Sequence, residues 1–497
     1  MKRIHLKKEP NLAAKHDAFP YQRDAFIAIK DLDYAAVFHE QGLGKTKIAI
    51  DLLLYWLGST SIDTVFIVTK KQLIRNWENE FKTHTNIYPS ILTTNKTSNY
   101  HVFSGPARVV ITNFEALGVE KDRFLLYLKT RNVAIIIDES AKIKNPESKL
   151  TQTYFELAPL FQKRVIMTGT PIANRPYDIW AQIYFLDQGA SLGTDFNEFK
   201  RQADLTNDLS SDRELQEYFE DSIAGIFDRI KSFSVRETKN SGIISLPAKV
   251  YIQEDAFFAK EQKRLYDAIR ETLKVDILKK GEIITDDSSP VVKRLLRLVQ
   301  VSSNPHLVDE SYVDVSAKET VLSALLEKIV GSSEKCIVWT CFIENVNYFK
   351  KEFERYGSVK IHGGMSIEDR NRSVELFRTE EYKVMFATPA SAKEGLTLTM
   401  ANHVIFYDRG FSLDDYLQAQ DRIHRISQTK TCYVHNIIMQ DSIDEWVDVL
   451  LKAKQNAAML AQGDVSLGEY RSTADYSFGD IVKRILFASD EEDLKHE

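Results

Sequence analysis

The run Phe38-His39-Glu40-Gln41-Gly42-Leu43-Gly44-Lys45-Thr46 organises the first half of the chain. An apolar, strand-like stretch precedes it, from Tyr34 to Phe38, and a helical pattern follows it, from Lys47 to Leu54. A strand, a glycine-containing turn ending in Gly-Lys-Thr and a helix form the context that a phosphate-binding loop requires. The glycines let the backbone approach phosphate oxygens, and the N–H groups of the first helical turn point at the anion. The run therefore predicts a nucleotide site.

Side chains in and near this loop have expected roles. Lys45 is expected to reach the β- and γ-phosphates, and Thr46 is expected to hold Mg²⁺. His39 departs from the strict pattern, which asks for glycine at that position. The alternative is a plain turn between a core strand and a core helix, which leaves Gly-Lys-Thr at the helix start unexplained. Upstream, Gln22 is a candidate for reading adenine through its amide, and a surface glutamine is the alternative.

A second strand-like run, Ala134 to Ile137, ends in Asp138-Glu139-Ser140. A continuous aliphatic run is typical of a strand covered on both faces in a parallel sheet, and open α/β sheets bind ligands at the carboxyl ends of their strands. Asp138 is expected to complete the Mg²⁺ shell, and Glu139 to orient and polarise the attacking water. Each acid alone could be a strand-end turn residue. Together with the upstream loop, they predict a nucleoside-triphosphate hydrolase.

Two further segments fit the same chemistry. Thr168-Gly169-Thr170-Pro171 follows a strand-like run and suits a switch that senses the γ-phosphate. In the second half of the chain, strands again alternate with helices, which indicates another parallel sheet. We expect Arg422 and Arg425 there to lie on one helix face and to act as arginine fingers, because the first half supplies a phosphate site without an arginine of its own. Solvated helix arginines are the alternative.

Length and composition limit the class of protein. A chain of 497 residues exceeds one ordinary core, so two or three domains are expected. The 43% hydrophobic and 27% charged content are typical of a soluble globular protein, with no run that approaches a membrane span and no secretory signal. Three cysteines fit neither a disulfide framework nor a zinc cluster, and we expect a reducing intracellular compartment. The net charge of −6 neither suggests nor excludes nucleic acid.

Taken in order, these motifs resemble the Swi/Snf-type DNA-dependent ATPases of helicase superfamily two, over residues 19 to about 451. The motif that resembles this family most closely is Arg422-Ile423-His424-Arg425-Ile426-Ser427-Gln428. The other motifs are Pro20-Tyr21-Gln22, Gly42 to Thr46, Asn76 to Phe81, Ile111 to Glu115, Asp138 to Lys142, Thr168 to Pro171, Leu246 to Lys249 and Gln262 to Tyr266.

The resemblance implies an α/β fold of two RecA-like parallel-sheet lobes with helical protrusions. It also implies that the protein uses ATP and Mg²⁺ and binds double-stranded DNA. It implies that nucleotide contacts come from Gln22, Gly42, Leu43, Gly44, Lys45, Thr46, Gly395 and Gln418, that Thr46 and Asp138 bind metal, and that Lys45, Asp138, Glu139, Arg422 and Arg425 are catalytic. It implies a DNA backbone track formed by Thr69, Lys70, Arg75, Trp77, Thr112, Asn113, Thr340, Gly363, Gly364, Arg370 and Thr388, of which Trp77 also fits a structural role.

The acid motif departs from the family, since it reads Asp-Glu-Ser-Ala where Asp-Glu-Ala-His is usual, and His39 replaces a common acidic residue. We expect lobes at 1–235 and 331–455, with a helical protrusion within the first lobe at about 174–235. The segment 236–330 is expected to be a protrusion and linker, and 456–497 an appendix with an acidic tail. The expected function is DNA-stimulated ATP hydrolysis with translocation along duplex DNA, independent of base sequence.

The alternatives are a strand-separating helicase, a DNA-binding protein with an inactive ATPase fold, and a nucleotide switch acting on a protein partner. The short protrusions resemble those of a bacterial or phage member, which implies a cytoplasmic location, or a nuclear one in a eukaryote. The sequence assigns no protein partner and predicts no membrane association.

Overall fold

The computed structural model describes residues 9–172, 174–208, 212–242, 246–280, 289–392 and 397–473, together with residues 4 and 6. These residues divide into two units. Unit 1 takes the described residues up to 204, those from 221 to 242 and those from 458 to 466. Unit 2 takes those from 205 to 220, from 246 to 457 and from 467 to 473. Each unit is therefore built from segments that are far apart in the chain.

The described part of unit 1 contains one seven-stranded sheet in which every pairing is parallel. Its strands are β1 (Tyr34–Val37), β2 (Thr64–Thr69), β3 (Ser90–Leu92), β4 (Val109–Asn113), β5 (Val133–Asp138), β6 (Lys163–Met167) and β7 (Ser234–Val235). The order across the sheet is β3-β4-β2-β5-β6-β1-β7. Strands β5, β6 and β1 are thus neighbours, although β1 is far from the other two in sequence.

Helices connect these strands, as parallel pairing requires. They are α1 (Pro20–Ile29), α2 (Lys45–Ser59), α3 (Ile74–His84), α4 (Tyr100–Ser104), α5 (Phe114–Val119), α6 (Lys121–Thr130), α7 (Lys149–Leu157), α8 (Trp180–Asp187) and α9 (Phe196–Gln202). Short α10 (Leu205–Asp208) belongs to unit 2, and α11 (Arg213–Ile230) has residues in both units.

The described part of unit 2 contains a six-stranded parallel sheet in the order β10-β11-β9-β12-β13-β8. Its strands are β8 (Lys249–Ala256), β9 (Cys336–Trp339), β10 (Ser358–Ile361), β11 (Val384–Ala387), β12 (His403–Phe406) and β13 (Cys432–Met439). Its helices are α12 (Lys260–Lys280), α13 (Ser289–Ser303), α14 (Ala317–Gly331), α15 (Ile343–Glu352), α16 (Ile367–Arg378), α17 (Pro389–Ala392), α18 (Leu413–Gln420), α19 (Ile443–Ala461), whose last residues belong to unit 1, and α20 (Leu467–Thr473).

Strand β9 shows how the core of unit 2 is built. Its side chains alternate between two apolar clusters, Ile337 and Trp339 in one and Cys336 and Val338 in the other. Because successive side chains of a strand point to opposite faces, both faces of this sheet are covered. All four residues are almost completely buried. The same coverage explains the unbroken aliphatic run of β5 in unit 1.

The predicted α/β class with two parallel-sheet lobes is confirmed. The predicted domain limits differ in detail from the two units. Strand β8 belongs to the sheet of unit 2, although the prediction assigned it to the linking segment 236–330. The predicted acidic tail lies outside the described residues from position 474 onward. Along the described residues, no helix combines the length and the apolar character that spanning a bilayer requires.

Candidate functional site

Three neighbouring strands of unit 1 end at the same level. In the pairing register, Val37 of β1 lies beside Met167 of β6, and Met167 lies beside Asp138 of β5. The residues that follow these strand ends are the glycine-containing loop, the Thr168-Gly169-Thr170-Pro171 turn and Glu139. Parallel strands with aligned carboxyl ends place their following residues at one edge of the sheet, where α/β proteins bind ligands.

The loop after β1 has the backbone shape that brings N–H groups to an anion. Gly42 and Gly44 have φ angles of 87° and 68°, in the left-handed region that favours glycine. Gly44 is the N-cap residue directly before α2, and no side chain caps that helix start. A Cβ at Gly44 would lie 2.2 Å from Gln22 Nε2, so a larger residue would have to displace the Gln22 side chain. No side chain therefore competes with an anion at the start of α2.

Lys45 is held inside this loop by backbone carbonyl groups. Its Nζ donates to the carbonyl oxygens of His39 at 2.9 Å and Glu40 at 3.4 Å. Neutral carbonyls are weaker partners for an ammonium group than phosphate oxygens. The loop thus keeps Lys45 where a phosphate group would receive it.

Gln22 is not the surface glutamine that the alternative interpretation required. It is 4% exposed. Its Nε2 is 3.3 Å from both Tyr21 Oη and the Leu43 carbonyl, and its Oε1 accepts from Phe19 N at 3.0 Å. Tyr21 Oη also donates to the Leu43 carbonyl. These bonds connect the start of α1 to residues 38–46, the candidate phosphate loop. Gln22 and Leu43 therefore hold each other in place.

Asp138 lies among polar groups at the end of β5. Its Oδ2 accepts from Trp77 Nε1 at 2.9 Å and from Thr69 Oγ1 at 3.2 Å. Burial, and next the charge of Glu139, raise the pKa of Asp138 to about 6, although these two hydrogen bonds and the Lys45 charge lower it. The ionised carboxylate is therefore poorly compensated in the absence of a cation.

Glu139 has a φ of 57° and a ψ of 49°, a left-handed conformation that is uncommon for a residue with a side chain. Its Oε2 lies 3.6 Å from Lys70 Nζ. Strained backbone of this kind persists where surrounding contacts fix it, and it is frequent at active sites. The conformation turns the chain sharply away from β5 and starts a short 3-10 helix at Ser140.

The chemistry of this edge fits a magnesium–nucleotide complex. Carboxylate and hydroxyl oxygens are ligands that Mg²⁺ prefers, and phosphate oxygens usually share the ion. Thr46 stands in the first turn of α2, and the poorly compensated Asp138 carboxylate gains from a divalent cation. These are the residues that would hold the ion, and the phosphates would lie against Lys45 and the loop amides.

The turn after β6 contacts the loop through Gly169. A Cβ there would lie 2.6 Å from Gln41 Cγ, 3.0 Å from Gln41 N and 3.2 Å from Lys45 Nζ. Close approach, rather than an unusual backbone angle, is therefore the reason for glycine at this position. The predicted phosphate-sensing turn is in direct contact with the residues expected to bind phosphate.

In unit 2, the prediction that Arg422 and Arg425 lie on one helix face is wrong. Helix α18 ends at Gln420, and both arginines stand in the turns that follow. The Arg422 carbonyl accepts from Leu398 N at 3.0 Å, and the Ile423 carbonyl accepts from Gln428 Nε2 at 3.0 Å. The chain beyond Gln420 is therefore held by contacts with residues outside the helix.

The two arginines and Gln418 are held by neighbouring groups of unit 2. Arg422 Nε donates to the Gln418 carbonyl at 3.1 Å, and Arg425 Nη1 donates to Thr397 Oγ1 at 2.7 Å. Gln418 is 2% exposed and donates to Asp414 Oδ1 at 2.7 Å. Gly395, the remaining predicted nucleotide contact, lies outside the described residues.

The predicted DNA track divides into exposed and buried residues. Arg75, Gly363 and Gly364 are exposed, and Lys70 and Arg370 are half-buried, with Arg370 Nη2 donating to the Gly363 carbonyl at 2.8 Å. The other predicted side chains are buried, and they are Thr69, Trp77, Thr112, Asn113, Thr340 and Thr388.

Most of the six buried residues form side-chain hydrogen bonds within their own unit. Thr69 and Trp77 donate to Asp138, Thr340 Oγ1 donates to Asp408 Oδ2 at 2.6 Å, and Asn113 caps α5 by accepting from Ala116 N at 2.8 Å. The DNA contacts of the six buried residues stay a prediction. A polar residue at a strand end is compatible with either role, so sequence alone does not separate them.

Sequence reasoning missed two buried polar residues at this edge of unit 1, Ser140 and Gln182. Ser140 Oγ donates to Gln182 Oε1 at 2.8 Å, and neither residue is exposed. The available signal was a glutamine among the apolar residues of helix α8 before its last residue, Asp187.

Comparison with known proteins identifies two matching families. A model of the SNF2-related domain matches residues 35–307. A model of the helicase conserved C-terminal domain matches residues 317–427. The first match alone covers more than half of the chain and contains the phosphate loop and the acid pair.

Two curated relatives are similar to this chain over most of its length. The Bacillus subtilis protein named "Putative ATP-dependent helicase/translocase YwqA" is 28% identical over 88% of this chain and 48% of the relative. The yeast ISWI chromatin-remodeling complex ATPase ISW1 is 26% identical over 88% of this chain and 39% of the relative. The chain thus spans less than half the length of these curated relatives.

A solved structure, the Sulfolobus solfataricus SWI2/SNF2 ATPase core in complex with dsDNA, is 23% identical with a TM-score of 0.43, covering 95% of this chain and 99% of that one. Family membership rests on the sequence models. Because the SNF2-related model matches most of the chain, with the helicase C-terminal model directly after it, the chain belongs to the SNF2-related family of ATP-dependent, helicase-like enzymes in superfamily two.

Proposed function

We propose that the protein is a DNA-stimulated ATP hydrolase that translocates along double-stranded DNA. The observation that carries the proposal is the register that aligns Val37, Met167 and Asp138 at one edge of the unit 1 sheet. This alignment gathers a phosphate loop, a turn in contact with that loop and an acid pair. Family membership supports ATP as the nucleotide.

In this proposal each side chain has one task. Lys45 and the amides of the first turn of α2 bind the phosphates, while Thr46 and Asp138 hold Mg²⁺, which would neutralise charge on the phosphates. Glu139 accepts a hydrogen bond from the attacking water and polarises it. Gln22 reads the adenine edge, and Arg422 and Arg425 serve as the arginine fingers.

Two substitutions test the site assignment. Glu139→Gln keeps the size of the side chain but removes the charge that polarises water, so hydrolysis should fall by at least about a hundredfold while ATP still binds. Lys45→Ala should abolish both nucleotide binding and hydrolysis. Matched controls are Glu147→Gln and Lys71→Ala, because both side chains are exposed. Normal turnover in either site variant would refute the assignment.

The DNA part of the proposal is tested by stimulation. We expect duplex DNA to raise the ATP hydrolysis rate more than single strands do, and the effect to weaken steeply with salt, because phosphate contacts release counterions. Arg75→Ala should weaken stimulation by every DNA sequence about equally. Stimulation mainly by single strands would instead support a helicase. Hydrolysis indifferent to DNA would support a nucleotide switch with a protein partner.

The cytoplasmic location stays a prediction.

A further inference from the structure

The acid pair and the turn after β6 are joined by two buried side chains. Ser140 directly follows Glu139, and its hydroxyl donates to Gln182 Oε1 at 2.8 Å. Gln182 Nε2 donates in turn to the Pro171 carbonyl at 2.8 Å and to the Asp178 carbonyl at 3.0 Å. Every polar atom of the Gln182 amide therefore has a partner.

These bonds span three separate segments. Ser140 belongs to the short 3-10 helix after β5, Pro171 closes the turn after β6, and Gln182 lies within α8. Both linking side chains are fully buried, with 0% exposure. In such surroundings a broken hydrogen bond leaves a polar group that water does not reach, so the link is costly to open.

Each end of the link adjoins a group with a proposed catalytic task. At one end, Glu139 is held in a left-handed conformation, which must be fixed by the residues around it. At the other end, Gly169 is so close to Gln41 and Lys45 that no Cβ fits. A movement of the turn would therefore be felt by the phosphate loop as well as by Gln182.

We propose that Ser140 and Gln182 are positioning residues that fix the orientation of Glu139 relative to the turn at Thr168–Pro171. The inference rests on the proposed function of Glu139. Neither residue contacts a substrate in this proposal. They act by holding the backbone on which the water-polarising carboxylate stands, so their loss should lower kcat and leave the KM for ATP nearly unchanged.

The experiment compares Gln182→Leu, Ser140→Ala and the double variant, with kcat, KM and Tm measured for each. Gln182→Leu keeps the side-chain size but leaves the Ser140 hydroxyl unpaired, so both Tm and kcat should fall. Adding Ser140→Ala removes that hydroxyl, so Tm should recover in part. If the residues position Glu139, kcat should remain low, by about tenfold to a hundredfold, because the link is still absent.

The matched control is Gln262→Leu in unit 2. Gln262 is equally buried, its Nε2 donates to the Val301 carbonyl at 2.9 Å, and its Oε1 accepts from Ala317 N. Its substitution should lower Tm without the specific loss of kcat. A kcat that follows Tm in all four variants would overturn the inference, because it would show only a structural role.

A second readout does not depend on activity. Hydrogen exchange of Gln182→Leu should become faster both in residues 140–143 and in residues 168–172, because the link joins them. Faster exchange confined to α8 would overturn the inference. If the parent protein does not hydrolyse ATP, the proposed function fails by itself, and the exchange result still decides whether the two segments are linked.

Discussion

Asp138 illustrates how its proposed role in metal binding conflicts with stability. Its carboxylate lies among buried groups and beside Glu139, and these raise its pKa to about 6. In an unfolded chain an aspartate ionises near its ordinary value of about 4. Above pH 6 the folded protein therefore holds a carboxylate that is less favourable than in the unfolded state, and a bound cation would offset this cost.

We predict that Asp138→Asn raises the free energy of unfolding of the ligand-free protein at pH 8 by about 1–3 kcal/mol. The amide oxygen can still accept from Trp77 and Thr69. Because the pKa of Asp138 is raised in the folded state, the protein with aspartate loses free energy of unfolding as the pH rises from about 4 through 6. The advantage of the asparagine variant should therefore disappear near pH 4. Denaturant unfolding at both pH values measures it. An equal gain at both would contradict the explanation, and Mg²⁺ with nucleotide should reduce the gain at pH 8.

At the scale of single elements, the start of α2 depends on its packing against α1. The left-handed Gly44 directly precedes α2, and Gln22 of α1 occupies the space where a Cβ would be. The two helices are thus fitted to each other at the loop, and the loop shape depends on both.

We predict that Gly44→Ala abolishes nucleotide binding while the protein stays folded. The new Cβ would displace Gln22, and alanine disfavours the left-handed conformation by about 1 kcal/mol or more. Binding of a fluorescent ATP analogue measures the effect, with circular dichroism as the check on folding. Gly58→Ala, within α2, is the control, because the new Cβ would meet only Leu12 Cδ1 at 3.6 Å. Unchanged affinity in Gly44→Ala would contradict the proposed loop geometry.

At the scale of the whole molecule, the unexpected feature is the set of chain segments that form unit 1. The segment 458–466 follows most of unit 2 in the chain, yet it belongs to unit 1. Asp464 in this segment pairs with Arg236, whose Nε donates to Asp464 Oδ1 at 2.6 Å. Arg236 Nη1 also donates to the Phe38 carbonyl at 3.0 Å, at the beginning of the phosphate loop.

We predict that Asp464→Asn lowers the free energy of unfolding by about 1–2 kcal/mol, because it weakens charge-assisted hydrogen bonds between side chains that are 13% and 18% exposed. Calorimetry measures the change. The control is Asp228→Asn, which removes an exposed partner of Lys231 and should change stability by less than about 0.5 kcal/mol. Equal effects of the two substitutions would refute a special role for the Arg236 pair.

The strand-end positions of the loop and the acid pair could be predicted from sequence because they depend on local patterns. The Gly-Lys-Thr loop and the acid pair each follow a recognisable strand, so their placement at one sheet edge followed from chain order and parallel pairing. The Ser140–Gln182 bond joins positions 42 apart, and no local pattern reveals it. The end of α18 also escaped prediction, since the residues after it bond to Leu398, which is distant in sequence.

The late segment of unit 1 has a consequence for the order in which the protein is made. A ribosome adds about 5–20 residues per second, and domains usually fold as they emerge, the first one first. Here the unit with the phosphate loop lacks Asp464 until nearly all of unit 2 has been synthesised. Arg236 lacks its partner while the chain between the two residues is synthesised, which takes on the order of ten seconds or more. The nascent chain therefore completes its second sheet before its first unit is whole.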